Sequence, residues 1–469
     1  MLSICRPAVL TVLFLFLFAS LPTLADAQRL EADLRALFAD TSGELSIGKV
    51  SDGLLGGRTT AEDLVFVGDN GDRLRLARYT VEGDYDQPDA VVMEGLRLEA
   101  QDDEPGIITV ERLVVGEPSR PLLALRDLPL DGELEAAELT IDGLAMSRET
   151  PRTRVEDGKE VFLGTATGRL TIEHLYATEL SRQAIGSLEV TGISGSGEQL
   201  ADIGDGHFSL AALSLVGLRG LDREDARTLD RLELIDLSIE AERLVATLDR
   251  LRFDGDMTDG EGGFRLEALA LDLARMIALA PVGERTRLRM ASNVLTGGSG
   301  QLRLDAVSSG RWEAGEAASR LLGEMHLTAV EAFGWDLEAD LPVRLPEGVE
   351  PAAFLADLES LEEVTLLGGR VDVLLTDHGL FDRLAPLMAA GQGISEADFL
   401  AQARTQAKGF GMLFGPQIET LFTGLVDMMA GDARELAIHL TLPAESGVEG
   451  LAADPLALPD RLSMRVETH

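Results

Sequence analysis

Cysteine is almost missing from this chain: the only one among 469 residues is Cys5, inside an N-terminal leader. Beyond the leader there is no disulfide, no thiol nucleophile and no cysteine metal site, so stability must come from core burial. Lysine is nearly absent too, with Lys49, Lys159 and Lys408 the only three, and the remaining basic residues are arginine. That bias, with abundant Ala, Gly, Leu and Asp, fits a GC-rich bacterial genome. Base is outnumbered by acid, 41 residues against 81, for a formal net charge of −40. A field of that sign repels nucleic acid and bare anionic membrane, so neither is expected as a direct partner. Aromatics supply only 4% of a chain that is 45% hydrophobic, which leaves Leu, Val and Ile to build the interior.

Long apolar runs are missing as well, except at the start. Arg6 precedes Val9–Ser20, an apolar run too short to span comfortably, and Ala25-Asp26-Ala27 fits a small-x-small cleavage site. Residues 1–27 therefore read as a secretory signal removed before Gln28, with an uncleaved inner-membrane anchor over Pro7–Leu24 as the alternative. Either way the destination of a bacterial protein is the periplasm. Cys5 precedes the apolar run, so it cannot be the lipid-bearing cysteine of a lipoprotein.

What is present is mostly alternation. Residues 28–40 read as a short amphipathic helix, with Leu30, Leu34, Leu37 and Phe38 on one stripe. From residue 41 to 345 the period is two. Asn70-Gly71 is expected to supply the positive φ of a tight hairpin turn, and Asp69, Asn70 and Asp72 serve that turn rather than a calcium loop. A loose unit recurs: Leu139-Thr-Ile-Asp-Gly-Leu144, Leu170-Thr-Ile-Glu-His-Leu175, Leu188-Glu-Val-Thr-Gly-Ile193, Leu213-Ser-Leu-Val-Gly-Leu218 and Leu232-Glu-Leu-Ile-Asp-Leu237. Positions one and three share a strand face; position six is out of step and needs a bulge or a strand end. The unequal spacing of the units excludes a fixed-rung solenoid and fits successive antiparallel strands.

Further strands are expected at Gly95–Ala100, Ile107–Val115, Gln301–Val307, Glu324–Val330 and Val364–Leu375, while Phe264–Leu279 fits strand or helix. The proline-bearing stretch Leu341–Pro351 marks a boundary. Residues 346–434 read as a strand plus a helical subdomain, with helices at Ala352–Leu361, Gly379–Ala390, Ser395–Met412 and Pro416–Ala430. Ser395 and Asp398 resemble a capping box. Residues 435–469 return to strands, Glu435–Leu442 and Arg461–Glu467. The fold class is mainly β: a long curled antiparallel sheet, as a taco-like groove or a sandwich, with a small C-terminal helical insert.

Catalytic motifs are scarce. His174, His207, His326, His378, His439 and His469 keep no metal-ligand spacing. Ser194 and Ser196 complete no nucleophile elbow, and Gly409-Phe-Gly-Met-Leu-Phe-Gly415 has the wrong glycine spacing for a phosphate loop. His378 beside Asp377 is the best-placed lone candidate, with a structural histidine at a strand end as the competing reading. Trp312 and Trp335 are too isolated for a sugar platform. No catalytic, metal or cofactor residue is assigned, and the expectation is a protein that is not an enzyme.

Ile47-Gly-Lys-Val-Ser-Asp-Gly-Leu-Leu-Gly-Gly-Arg58, Ala61-Glu-Asp-Leu-Val-Phe-Val-Gly-Asp-Asn-Gly71 and Leu74-Arg-Leu-Ala-Arg-Tyr-Thr-Val81 resemble the N-terminal portion of AsmA-like and TamB-like bacterial envelope proteins. The match is carried by residues 45–99. The resemblance implies a long twisted sheet with an apolar interior and a part in phospholipid movement or outer-membrane maintenance. The expected function is to shield or transfer lipid along an apolar β groove, with phospholipid or another acyl chain as partner. The alternative is a periplasmic scaffold that binds polypeptide by strand addition. Register decides which residues would line a groove, so none is assigned from the sequence.

Overall fold

The computed structural model describes residues 26–39, 41–53, 57–101, 105–123, 135–156, 159–200, 204–223, 227–255, 260–315, 318–345, 365–447 and 458–469. The expected leader, up to residue 25, and the expected helix Ala352–Leu361 lie outside them. All twenty described strands belong to one open antiparallel sheet, not the two sheets of a sandwich. Between Gly186 and Ser187 the chain divides into two compact units.

The first unit begins with helix α1 (Asp26–Leu37), whose Leu30 and Leu34 are buried. Then come β1 (Gly43–Asp52), β2 (Arg58–Gly68), β3 (Arg73–Gly83), β4 (Pro88–Ala100), β5 (Gly106–Gly116), β6 (Ala136–Glu156) and β7 (Lys159–Leu180). Each pairs with the next in sequence order. Strand β8 (Ala184–Leu200) crosses the division.

The β2–β3 turn differs in detail from the expectation. Gly71 has a φ of 91°, but Asn70 does not have a positive φ. Gly71 N–H donates to the Gly68 carbonyl at 3.0 Å and Gly68 N–H to Asp72 at 2.9 Å, the pattern of a three-residue loop with a glycine bulge. Asn70 works through its side chain instead, its Oδ1 accepting from the Asp72 N–H at 3.2 Å.

The second unit holds β9 (Gly204–Arg219), β10 (Arg231–Ala241), β11 (Val245–Asp254), β12 (Glu261–Asp272), α2 (Leu273–Ile277), α3 (Arg285–Leu295), β13 (Gln301–Glu313), β14 (Ser319–Ala329) and β15 (Phe333–Arg344). Both readings of Phe264–Leu279 hold in part: the strand runs to Asp272, whose side chain accepts from the Arg275 N–H and starts α2. Helix α3 had no counterpart among the expectations. The stretch expected as one strand, Val364–Leu375, is two: β16 (Thr365–Leu367) and β17 (Arg370–Asp377), with Val364 outside the described residues. Gly368 and Gly369, at φ 109° and 123°, break it in a conformation that favours glycine.

Three helices follow, α4 (Leu380–Gln392), α5 (Glu396–Phe414) and α6 (Pro416–Ala430), inserted between β17 and β18 (Glu435–Thr441). Ser395 caps α5, its Oγ accepting from the Asp398 N–H at 3.2 Å. The chain ends with β19 (Ala444–Gly447), α7 (Leu458–Arg461) and β20 (Arg465–Thr468); the final expected strand starts four residues later than read, after the short α7. Met428 of α6 packs with Leu436 and Val466 of β18 and β20, so the insert covers this end of the unit's apolar face. No helix of the described residues is long and apolar enough to cross a membrane.

Candidate functional site

Where the recurrent unit was expected to need a bulge or a strand end at position six, β6 and β10 have neither. In β10, Leu232 and Leu234 share a face, then Leu237 and Ile239 take it over after Asp236, which sits at φ 53°. Both neighbours keep register through this point: Ile235 pairs with Ala212 and Arg250, Leu237 with Leu210 and Leu248. One left-handed residue thus reverses the inward phase without adding a residue. Beside the crease, β12 against β13 does carry a register shift, between Leu266 and Leu269, where Ala268 at φ 53° donates its N–H to Asp305 Oδ1 at 2.7 Å.

The same device runs through the first unit, in every second strand: Asp63 in β2 (φ 55°), Gly95 in β4 (φ 65°) and Gly143 in β6 (φ 62°). The intervening strands place Gly48, Ala77 and Glu111 opposite them. Space is tight here. A Cβ on Gly95 would stand 2.9 Å from the Ala77 Cβ, and one on Gly143 only 2.5 Å from Glu111 Cγ.

Because every strand switches phase at the same level, apolar residues meet apolar residues on both sides of the crease. On one side Leu45–Phe66–Leu74–Leu98–Ile108–Met146–Leu170 are successive partners; on the other, Tyr79–Met93–Leu113–Ile141–Leu175. The result is an unbroken aliphatic surface on one face. In the second unit it recurs as Phe208–Ile239–Ala246–Leu271–Leu302 and Leu215–Leu232–Phe253–Phe264.

Cover over this surface is uneven. In the first unit α1 and the segment at residues 121–123 lie over β2 to β4. Tyr79 Oη donates to the Pro121 carbonyl at 2.7 Å and accepts from the Leu123 N–H at 3.1 Å. Burial pushes the Tyr79 phenol well above its ordinary pKa. Tyr85 Oη donates to Asp33 of α1 at 2.8 Å and Arg29 stacks on the Tyr85 ring at 4.6 Å, which fixes the helix. Between helix and strands remains an apolar cavity of about 200 Å³, lined by Leu34, Leu37, Phe38, Leu64, Leu74, Leu76, Met93 and Leu96 among others. On β6 and β7 the central aliphatic residues Leu139, Ile141, Leu144 and Ile172 stay partly exposed, and Met146 is 38% exposed. In the second unit Leu232 and Leu237 of β10 are partly exposed too.

The opposite face is charged and ordered. Lys49, Glu62, Arg78, Glu94, Arg112, Asp142 and His174 are successive cross-strand partners beside the crease, alternating in sign up to the histidine. Arg78 meets Glu94 at 2.8 Å and His174 Nδ1 meets Asp142 at 2.7 Å. The second unit carries a polar trough of about 1040 Å³ on this face, crossing β10 to β15 and β17. Every arginine lining it is neutralised by a carboxylate, among them Arg252 by Asp254 at 2.9 Å and Arg370 by Asp372 at 2.7 Å. Arg320 holds the Asp340 carboxyl below its ordinary pKa. The trough offers a ligand no uncompensated arginine.

The residues weighed for chemistry are scattered. His326 bonds Asp336, His439 bonds Asp372 at 2.6 Å, His207 lies 3.7 Å from Glu240 and His469 lies 3.6 Å from Glu467. Asp377, the neighbour of exposed His378, is 4% exposed and starts α4: it accepts from Gly379 and Phe381 N–H groups at 2.9 and 3.0 Å. Ser194 and Ser196 lie in β8, and Gly409 and Gly411 within α5. Buried Trp312 pairs with Leu321 and exposed Trp335 with Leu327, well apart along β14. No cluster of three metal-ligating side chains occurs among the described residues. The crease was legible but unread in the first strands, where Leu74, Leu76, Tyr79 and Val81 repeat the one-three-six spacing. Compared with models of protein families and with curated proteins, the chain matches none.

Proposed function

We propose that this protein shields or transfers lipid along the aliphatic face of its sheet, as a non-enzymatic component of the bacterial envelope with a role in outer-membrane maintenance. The observation that carries the reading is the cross-strand aliphatic ladder left partly exposed on β6 and β7. A surface of paired Leu and Ile side chains exposed to water is costly, at about 25 cal/mol per Å². An acyl chain removes that cost without leaving a buried polar group unpaired. The secretory-type leader fits a periplasmic location, between two membranes that contain such chains.

The test is native mass spectrometry of the full chain, purified gently from a Gram-negative host. Adducts of phospholipid mass are expected, and substituting the cross-strand pair Leu144 and Ile172 by Asp should remove them. Repeated recovery of a clean apoprotein overturns the reading. A second reading, polypeptide binding by strand addition, draws on β1, which among the described strands pairs with β2 alone. A protein partner that survives lipid stripping would favour it.

A further inference from the structure

The end of α5 and its turn into α6 form the most exposed apolar cluster among the described residues of the second unit. Met412 is 84% exposed and Leu413 75%, with Phe410 at 41% beside them. Behind these side chains is a small aromatic platform: Phe410 stacks on Phe422 at 4.9 Å and on Phe414 at 6.1 Å. The platform holds the tip together from within, so the outward Met and Leu are not needed for packing.

The charge pattern here runs against the rest of the molecule. In a chain of net charge −40, no Asp or Glu occurs from Phe399 to Ile418. The only charges in that stretch are Arg404 and Lys408. Arg404 is neutralised by Asp427 and Asp432, at 3.2 and 3.0 Å. Lys408 is exposed, one of three lysines in the protein, and stands about one helical turn before Met412. The nearest acid in sequence after the tip is Glu419, which is half-buried with its side chain against Gly411.

We propose that this tip, Lys408 to Gln417, docks the protein on an anionic lipid bilayer. Phe410, Met412 and Leu413 enter at the level of the headgroups, and Lys408 meets lipid phosphate. Exposed Met, Leu and Phe side chains on a stretch with no acidic residue from Phe399 to Ile418 suit a fluid interface rather than a shaped protein groove. The local loss of negative charge is what lets a strongly acidic protein approach an anionic surface at all. The inference gives the proposed lipid handling its point of contact with a membrane, and in that sense rests on that reading.

The test is flotation of the full chain with vesicles of equal parts phosphatidylglycerol and phosphatidylcholine, and with phosphatidylcholine alone. Binding is expected to the anionic vesicles and to be weaker on the neutral ones. Replacing Met412 and Leu413 together by Asp should reduce it by at least about tenfold, since two apolar contacts are lost. Lys408→Glu should reduce it by about fivefold or more, and added salt should remove that difference. A separate Leu413→Trp variant reads the tip itself: its emission should shift to the blue and be quenched by brominated acyl chains. Both Met412 and Leu413 are solvent-facing, so circular dichroism should be unchanged. No flotation of the wild type, flotation of the Met412→Asp/Leu413→Asp variant equal to wild type, or an unshifted emission from the Leu413→Trp variant overturns the proposal. Flotation without acyl adducts in the native mass spectrum overturns the acyl-shielding reading but leaves docking standing; adducts without flotation do the reverse.

Discussion

Strands β2 to β5 and strands β6 and β7 are written in the same code, yet one group is buried and the other is not. Leu64, Tyr79, Met93 and Leu113 are at most 3% exposed. Their counterparts Ile141, Leu144 and Ile172 occupy equivalent places in the same ladder and remain partly exposed. Strand pattern and pairing do not separate the two groups. What separates them is cover: α1 and the segment held by Tyr79 lie over β2 to β4, and no described element plays that part in the middle of β6 and β7. A one-layer sheet orients its aliphatic side chains by itself but cannot bury them by itself. The bare part is where a ligand would add most.

Three substitutions probe that contrast, each read from urea unfolding. The largest effect is expected at the cover. Leu30→Ala, in a fully buried position of α1, should cost about 3 kcal/mol through lost burial and a cavity. Ile172→Ala, on the bare ladder, should cost about 1 kcal/mol or less, since its side chain is already partly solvated. Equal losses at the two positions would break the comparison. Next comes the feature the two groups share. Gly95→Ala combines a φ of 65° with a Cβ contact at 2.9 Å to Ala77, and should cost about 2 kcal/mol. An unchanged midpoint would mean that the crease is soft.

A fourth substitution sharpens the role of the 121–123 segment. Tyr79→Phe removes both hydrogen bonds to it and should cost about 1.5 kcal/mol at neutral pH. Its pH dependence follows from burial, which raises the phenol's pKa in the folded state. The buried neutral phenol therefore contributes stability that is fully present below the unfolded pKa of about 10 and is lost as pH rises beyond it. The wild type should weaken above that pH more steeply than the Tyr79→Phe protein, and parallel curves would sink the assignment.

Much of the fold was legible because it is local. The leucine units announced strands, Ser395 announced the start of α5, and Pro416 that of α6. The break at position six was legible as a problem but not as its solution. A bulge and a left-handed residue answer the same sequence pattern, and only the register of both neighbours distinguishes them; at Asp236 and Gly143 the register is kept, and at Ala268 it shifts. Gly368 and Gly369 could have announced the split between β16 and β17, but a run of alternating apolar residues on either side masked it. The histidines are spaced apart in the sequence, and the carboxylate partners of His174, His207 and His439 sit on neighbouring strands well separated from them along the chain. His439 meets Asp372, for example, only because β17 pairs with β18 across the inserted helices.

The exposed tip at Met412 and Leu413 is a further case. Its composition was visible as a Met- and Phe-rich helical stretch, and half of that stretch does cover the sheet, through Met428 and Leu421. Which residues face inward was set by the packing of α6 on β18 and β20. The sequence alone determined that the chain would form strands with one aliphatic and one charged face, interrupted by a helical insert, because side-chain alternation and turn chemistry act within a few residues. Tertiary structure alone decided which part of the aliphatic face is covered and where the acid-free tip emerges, because cover depends on contacts between segments that local pattern does not encode.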